Sequence, residues 1–113
     1  MTFKNAPAVV TATPNGFRVA LKDSVLSDID WLDGDLERVT AATPKHVDFD
    51  LADVHMAASS GIGTLMWLRN KVVAGGGSVR IIAIRQQVRG IFRTACLEEL
   101  FDIRPEAVVV PRT

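Results

Sequence analysis

The spacing of apolar and polar residues changes along the chain, and each change marks an element. Val47, Phe49 and Leu51 alternate with Asp48 and Asp50, the period of two expected of a strand with one wetter face. Ala8 to Thr13 and Phe17 to Leu21 are short β-branched runs on either side of Pro14-Asn15-Gly16. They predict an N-terminal hairpin whose Asn-Gly step supplies the positive φ values of a tight turn. Val79 to Ile84 is a nearly continuous apolar run, as expected of a central strand covered on both faces. Ala107 to Val110, bounded by Pro105 and Pro111, predicts an edge strand or a terminal arm.

Between these runs the period becomes helical. Ile29, Leu32, Leu36 and Val39 predict a helix from about Asp28 to Ala42, capped by Ser27, weakened by Gly34 and closed by Pro44. Ile62, Leu65, Met66, Arg69, Val72 and Val73 predict the inner stripe of a second helix that stops at Gly75-Gly76-Gly77, where glycine suits a left-handed turn. Val88, Ile91, Phe92 and Ala95 predict a third helix, and Leu97, Leu100, Phe101 and Ile103 a short final one. Strand, helix, strand, helix in the middle of the chain requires a right-handed crossover, and the hairpin in front makes the sheet mixed. The expectation is one α/β domain over residues 1–113, with a mixed sheet of four to five strands and helices packed mainly on one side.

With 113 residues, 48% hydrophobic and 23% charged, the chain has the composition of one globular core rather than of a disordered segment. Thirteen basic residues balance thirteen acidic ones, so no overall field draws nucleic acid or an anionic membrane. The acids crowd residues 1 to 60 and arginines crowd residues 78 to 113, which predicts an acidic and a more basic side. The single cysteine, Cys96, fits a reducing compartment, and its apolar neighbours predict a buried packing residue. No signal-peptide pattern opens the sequence, and no apolar stretch approaches the roughly 20 residues that span a bilayer, so a cytoplasmic, non-spanning protein is expected.

The chemistry-bearing residues are few. His46 and His55 lie nine positions apart, a poor basis for a metal pair, and Ser60-Gly61-Ile62-Gly63-Thr64 lacks the Gly-Lys-Ser/Thr ending of a phosphate-binding loop. Without a paired nucleophile and base, a metal constellation or a cofactor loop, the sequence predicts a non-enzyme with no cofactor. Arg85, Arg89 and Arg93 recur every four residues, the mark of a solvated helix face. Trp31 and Trp67 stand off the apolar stripes as surface aromatics that either anchor a partner or pack peripherally.

The stretch from Asp50 to Ile103 carries a family pattern. Asp50-Leu51, Val54, Ser59-Ser60-Gly61, Gly63, Leu65, Gly75 to Gly77, Val79 to Ile84, Val88, Leu97 and Leu100-Phe101 occur in an order and spacing that resembles the STAS domains of bacterial anti-sigma factor antagonists. Where that pattern has an aspartate before the two serines this chain has Ala58, and Lys22-Asp23-Ser24-Val25 matches it poorly. The resemblance implies partner switching. The unmodified antagonist binds an anti-sigma factor that is an ATPase-type serine protein kinase, freeing the sigma factor, and phosphorylation of the serine that follows the aspartate breaks the complex. By position that serine is Ser59, and the surface implied is His55, Met56, Ala58, Ser59, Ser60, Gly61 and Thr64. A monomer or weak dimer is expected. The alternative within the resemblance is a constitutive, non-phosphorylated STAS subunit of a lipid ABC transporter or signalling scaffold, which Ala58 favours.

The motif also has physics of its own. A helix that starts at Ser59 or Ser60 leaves its first amide hydrogens without internal partners, and its dipole adds roughly half a positive charge there. A serine oxygen caps such amides, and a phosphate suits the same place. The plain structural expectation is therefore that Ser59 and Ser60 cap the helix.

Overall fold

The computed structural model describes residues 6–22, 25–26, 29–30 and 44–109. The strands β1 (Ala6–Thr13) and β2 (Gly16–Leu21) pair antiparallel, with Thr13 opposite Gly16, so Pro14 and Asn15 are the two turn residues. No described residue of this turn has a positive φ, contrary to the expectation for Asn15 and Gly16. Glycine is required at 16 for another reason: a Cβ there would lie 1.8 Å from the carbonyl oxygen of His46. The hairpin end is pressed against the next parallel strand, and the Lys45 and His46 amides both donate to the Asn15 carbonyl.

Next come β3 (Val25–Leu26) and β4 (Ile29–Asp30), then β5 (His46–Leu51), β6 (Met56–Ala57), helix α1 (Ser59–Ala74), β7 (Ser78–Arg85), helix α2 (Gln86–Thr94), a single 3-10 turn at Pro105–Ala107, and β8 (Val108–Val109). The main sheet runs β1-β2-β5-β7-β8, and the two residues of β4 extend it beyond β1; β2, β5, β7 and β8 are parallel. The mixed α/β sheet expected from the sequence is thus present, with the edge strand at its C-terminal side. The expected helix from Asp28 does not begin there, because Ile29 and Asp30 are extended beside Ala6 and Pro7. Its remainder, with Trp31 and Gly34, lies outside the described residues.

One face of the sheet is the core. Val19, Leu21, Val47, Phe49, Leu51, Ile81 and Ile84 are buried, and Leu65, Leu68 and Val72 of α1 and Val88 and Phe92 of α2 join the same cluster. The inner stripe of α1 is turned relative to the expected one: Leu68 is buried, whereas Arg69 is half-buried and Val73 is exposed. The other face carries charge. Asp48 and Asp50 alternate with buried neighbours, and Arg80 and Ala83 oppose them on β7, so β7 is not covered equally on both sides. Arg18 lies 3.0 Å from Asp50 and Arg80 3.6 Å from Asp48. Among the described residues, acids and arginines of neighbouring strands therefore pair across this face, while most of the acids of residues 1 to 60 lie outside the described residues.

The expected last helix is absent: residues 97–104 wind through turns instead, with Asp102 at φ 48°. Beyond the two-residue β8, the edge of β7 needs an acceptor, and the Phe101 carbonyl takes the Ile81 amide hydrogen at 3.0 Å. A continuing helix would spend that carbonyl internally. The Phe101 ring, fully buried, meets Phe92 edge-on at 5.4 Å and Phe49 at 6.2 Å. Cys96 is exposed rather than buried, since it occupies the left-handed position that ends α2, with φ 61°. Around it the Leu97 amide donates to Phe92 and the Cys96 amide to Arg93, and Leu97 rather than Cys96 turns inward. Gly76, at φ 92°, plays the same part after α1.

Candidate functional site

The candidate surface is built on a loop held from three directions. Leu51 and Val54 are fully buried and anchor its start. Between them, the Asp50 carboxylate accepts the Ala52 amide hydrogen at 3.0 Å while its second oxygen accepts from Arg18. Arg85, the last residue of β7, donates Nε–H to the Ala52 carbonyl at 2.7 Å. Lys22 lies 3.7 Å from Asp53. Met56 and Ala57 then pair in parallel with Val25 and Leu26, which sets the path into α1.

From this loop His55, Met56, Ser59 and Ser60 emerge exposed, Met56 at 61%. Ala58 and Thr64 are half-buried and Gly61 is buried. The residues singled out from the sequence therefore come together at one end of α1, although Gly61 faces inward. Ala58, at φ −88° and ψ 156°, is the N-cap, and its carbonyl accepts from Gly61 and Ile62. No side chain caps the helix, which corrects the capping expectation for Ser59 and Ser60: both already lie inside the first turn, past the position from which a side chain reaches back. The Thr64 hydroxyl donates to the Ser60 carbonyl at 3.0 Å.

The first turn holds no acidic residue, so the positive end of the helix dipole is not offset there by a side chain of its own turn. Ser60, Gly63 and Trp67 follow at offsets of three and seven on the outward face, and the Trp67 ring is 45% exposed with the Lys71 ammonium 5.6 Å from its centre. The place of Trp67 off the inner stripe was visible in the sequence. The roles of Asp50 and Arg85 were not, because their partners are backbone groups of a loop. The arginine row is likewise more than a solvated face: Arg89 and Arg93 both hold Glu98, at 2.5 and 3.4 Å, and hydrogen bonding from Arg89 holds the Glu98 carboxyl below its usual range. The other histidine, His46, lies at the opposite end of β5 from this loop and is hydrogen-bonded through Nδ1 to the Ser78 hydroxyl at 2.9 Å.

The helices α1 and α2 thus form one layer against a mixed sheet, and the start of α1 is exposed, without a side-chain cap, beside the exposed Met56. The STAS domain family model matches residues 15–108, and the chain belongs to that family. STAS domains mediate protein–protein interactions and are generally non-enzymatic. No curated protein matches the chain significantly. No described helix is long and apolar enough to cross a membrane.

Proposed function

We propose that the chain is an anti-sigma factor antagonist-like regulator that acts by partner switching in the cytoplasm. In this reading the surface formed by His55, Met56, Ala58, Ser59, Ser60, Gly61 and Thr64 docks on an anti-sigma factor that is an ATPase-type serine kinase. Phosphorylation of Ser59 then ends the complex. The observation that carries the proposal is the position of Ser59: exposed, first in α1, and one turn of chain from the exposed Met56.

A phosphoryl group on Ser59 would bring about −1.5 to −2 charges to this end of the helix. The dipole favours an anion there, so the folded chain tolerates the modification. A partner that covers Met56 does not, because the new charge must be desolvated or displace the contact. The chain's own part in the switch is thus to present the hydroxyl and hold the loop, with the chemistry supplied by the kinase. Incubating the protein with ATP and such a kinase and mapping the modified peptide tests it: phosphate on Ser59 supports the proposal, and an unmodified chain that still binds tightly supports the second reading.

That second reading is a constitutive STAS subunit of a lipid ABC transporter or signalling scaffold. It is favoured by Ala58, which leaves the helix start without the acidic neighbour of the switching pattern.

A further inference from the structure

We infer, resting on the switching proposal, that the docking surface continues from Ser59 along the outward face of α1 to Trp67 and Lys71, where Trp67 is an apolar anchor and Lys71 takes a carboxylate from an acidic protein surface. Buried Gly61, Leu65, Leu68 and Val72 fix the inward side of α1. Opposite them Gly63, Asn70 and Ala74 are exposed, with Trp67 and Lys71 exposed on one shoulder. A Cβ added at Gly63 would meet nothing within 4 Å, so the middle of this face is open. A solvated helix face ordinarily carries charge along its length, but the 16 residues of α1 hold only Arg69 and Lys71 as charged groups.

Interface size carries the surface beyond the helix start. A standard interface takes roughly 20–30 residues and about 800 Å² from each partner, far more than the residues around Ser59 supply. Lys71 lies about 18 Å from Ser59 along the helix axis, inside the breadth of such a patch. On the way the Trp67 ring, 45% exposed, is the bulkiest apolar group, and tryptophan is enriched among side chains that carry binding energy.

Charge names the occupant. From Val54 to Leu97 the sequence has no acidic residue, and α1 and α2 together carry Arg69, Lys71, Arg89 and Arg93. Arg89 and Arg93 share Glu98. Arg69 spends its N–H groups on the Leu100 carbonyl and the Asn70 side chain, and Lys71 stands 5.6 Å from the centre of the Trp67 ring. Neither has a carboxylate partner among the described residues. A carboxylate brought to Lys71 beside the ring meets a cation in reduced water, where the attraction is stronger, whereas a basic partner would meet like charge.

Calorimetric titration against the serine-kinase anti-sigma partner tests the inference. Trp67→Ala and Lys71→Glu, both at exposed positions whose variants urea unfolding shows to be folded, should each weaken binding by about tenfold or more, and Lys71→Arg should keep it. Wild-type affinity should fall as salt rises from about 0.1 M to about 1 M, because the screening length drops from about 10 Å to about 3 Å, and Lys71→Glu should lose this dependence. Wild-type affinity in both Trp67→Ala and Lys71→Glu, with Ser59→Asp weakened, would confine the surface to the helix start and overturn the inference while leaving switching in place. A wild type that does not bind would overturn switching as well. Loss on Trp67→Ala alone would make the occupant apolar rather than acidic. A sedimenting mass above 12.3 kDa for the chain by itself, returned to 12.3 kDa by Trp67→Ala, would make the occupant a second copy. Either of these last two results overturns the inference.

Discussion

Arg85 donates its Nε–H to the carbonyl of Ala52 at 2.7 Å, fastening the end of β7 to the loop that leads into α1. The amide N–H of the same residue is held by Asp50, so Ala52 is clamped between two strands of the sheet. Arg85→Met keeps much of the aliphatic stem and removes the donor. It should cost about 1.5 kcal/mol in urea unfolding, the worth of a hydrogen bond from a charged group, and raise amide exchange at Val54. Unchanged exchange at Val54 would show that Arg85 does not hold the loop.

Glycine substitutions should split by geometry. Gly16→Ala forces a Cβ against the His46 carbonyl oxygen and should destabilise the fold by about 1–3 kcal/mol. At Gly90, inside α2, a Cβ meets nothing within 4 Å, and Gly90→Ala should stabilise by about 0.5–1 kcal/mol. Thermal unfolding of the two variants reads both signs.

Cys96 sits at φ 61° and is exposed. Its thiol should react with a disulfide reagent in the folded protein as readily as in urea. Cys96→Gly should raise stability by up to about 1 kcal/mol, because a left-handed conformation costs an L-residue that much or more. A thiol protected until unfolding would contradict the assignment.

Glu98 joins Arg89 and Arg93, and its carboxyl is held low chiefly by the hydrogen bond from Arg89. A depressed folded value means that the contribution is present above the ordinary glutamate value of 4.5 and is lost as pH falls through the folded value. Glu98→Gln should therefore lower stability at neutral pH and flatten the acid side of the stability profile. Parallel profiles for variant and wild type below neutrality would contradict this.

Ala58 has the extended backbone of an N-cap but no side chain to use it. Ala58→Asp should add a cap and stabilise the protein by about 0.5–2 kcal/mol, seen as a higher midpoint of thermal unfolding. No gain would place the helix start elsewhere.

These residues also show how much could be read in advance. Alternation at Val47, Phe49 and Leu51 located β5, and the glycine run located the end of α1, because burial and left-handed turns leave local signatures. The inward turn of Leu68 instead of Val73 depended on the angle at which α1 meets the sheet, which periodicity alone does not define. Likewise, Cys96 looked buried from its apolar neighbours, yet the turn that ends α2 sends Leu97 inward and leaves the thiol outside. At the candidate surface, the helix start near Ser59 was legible from the Ser-Ser-Gly step ahead of the apolar stripe. The Arg85 and Asp50 contacts were not, since a backbone acceptor in a loop has no residue type to betray it.

The central claim rests on Ser59, which makes no side-chain cap and is exposed. Ser59→Ala should therefore leave stability within about 0.5 kcal/mol of wild type, and Ser59→Asp should match or slightly exceed it through the helix dipole. Calorimetric titration of each against the serine-kinase anti-sigma partner separates structure from switching most directly. The account predicts wild-type affinity for Ser59→Ala and a loss of about tenfold or more for Ser59→Asp. Equal affinities for wild type and Ser59→Asp would contradict it.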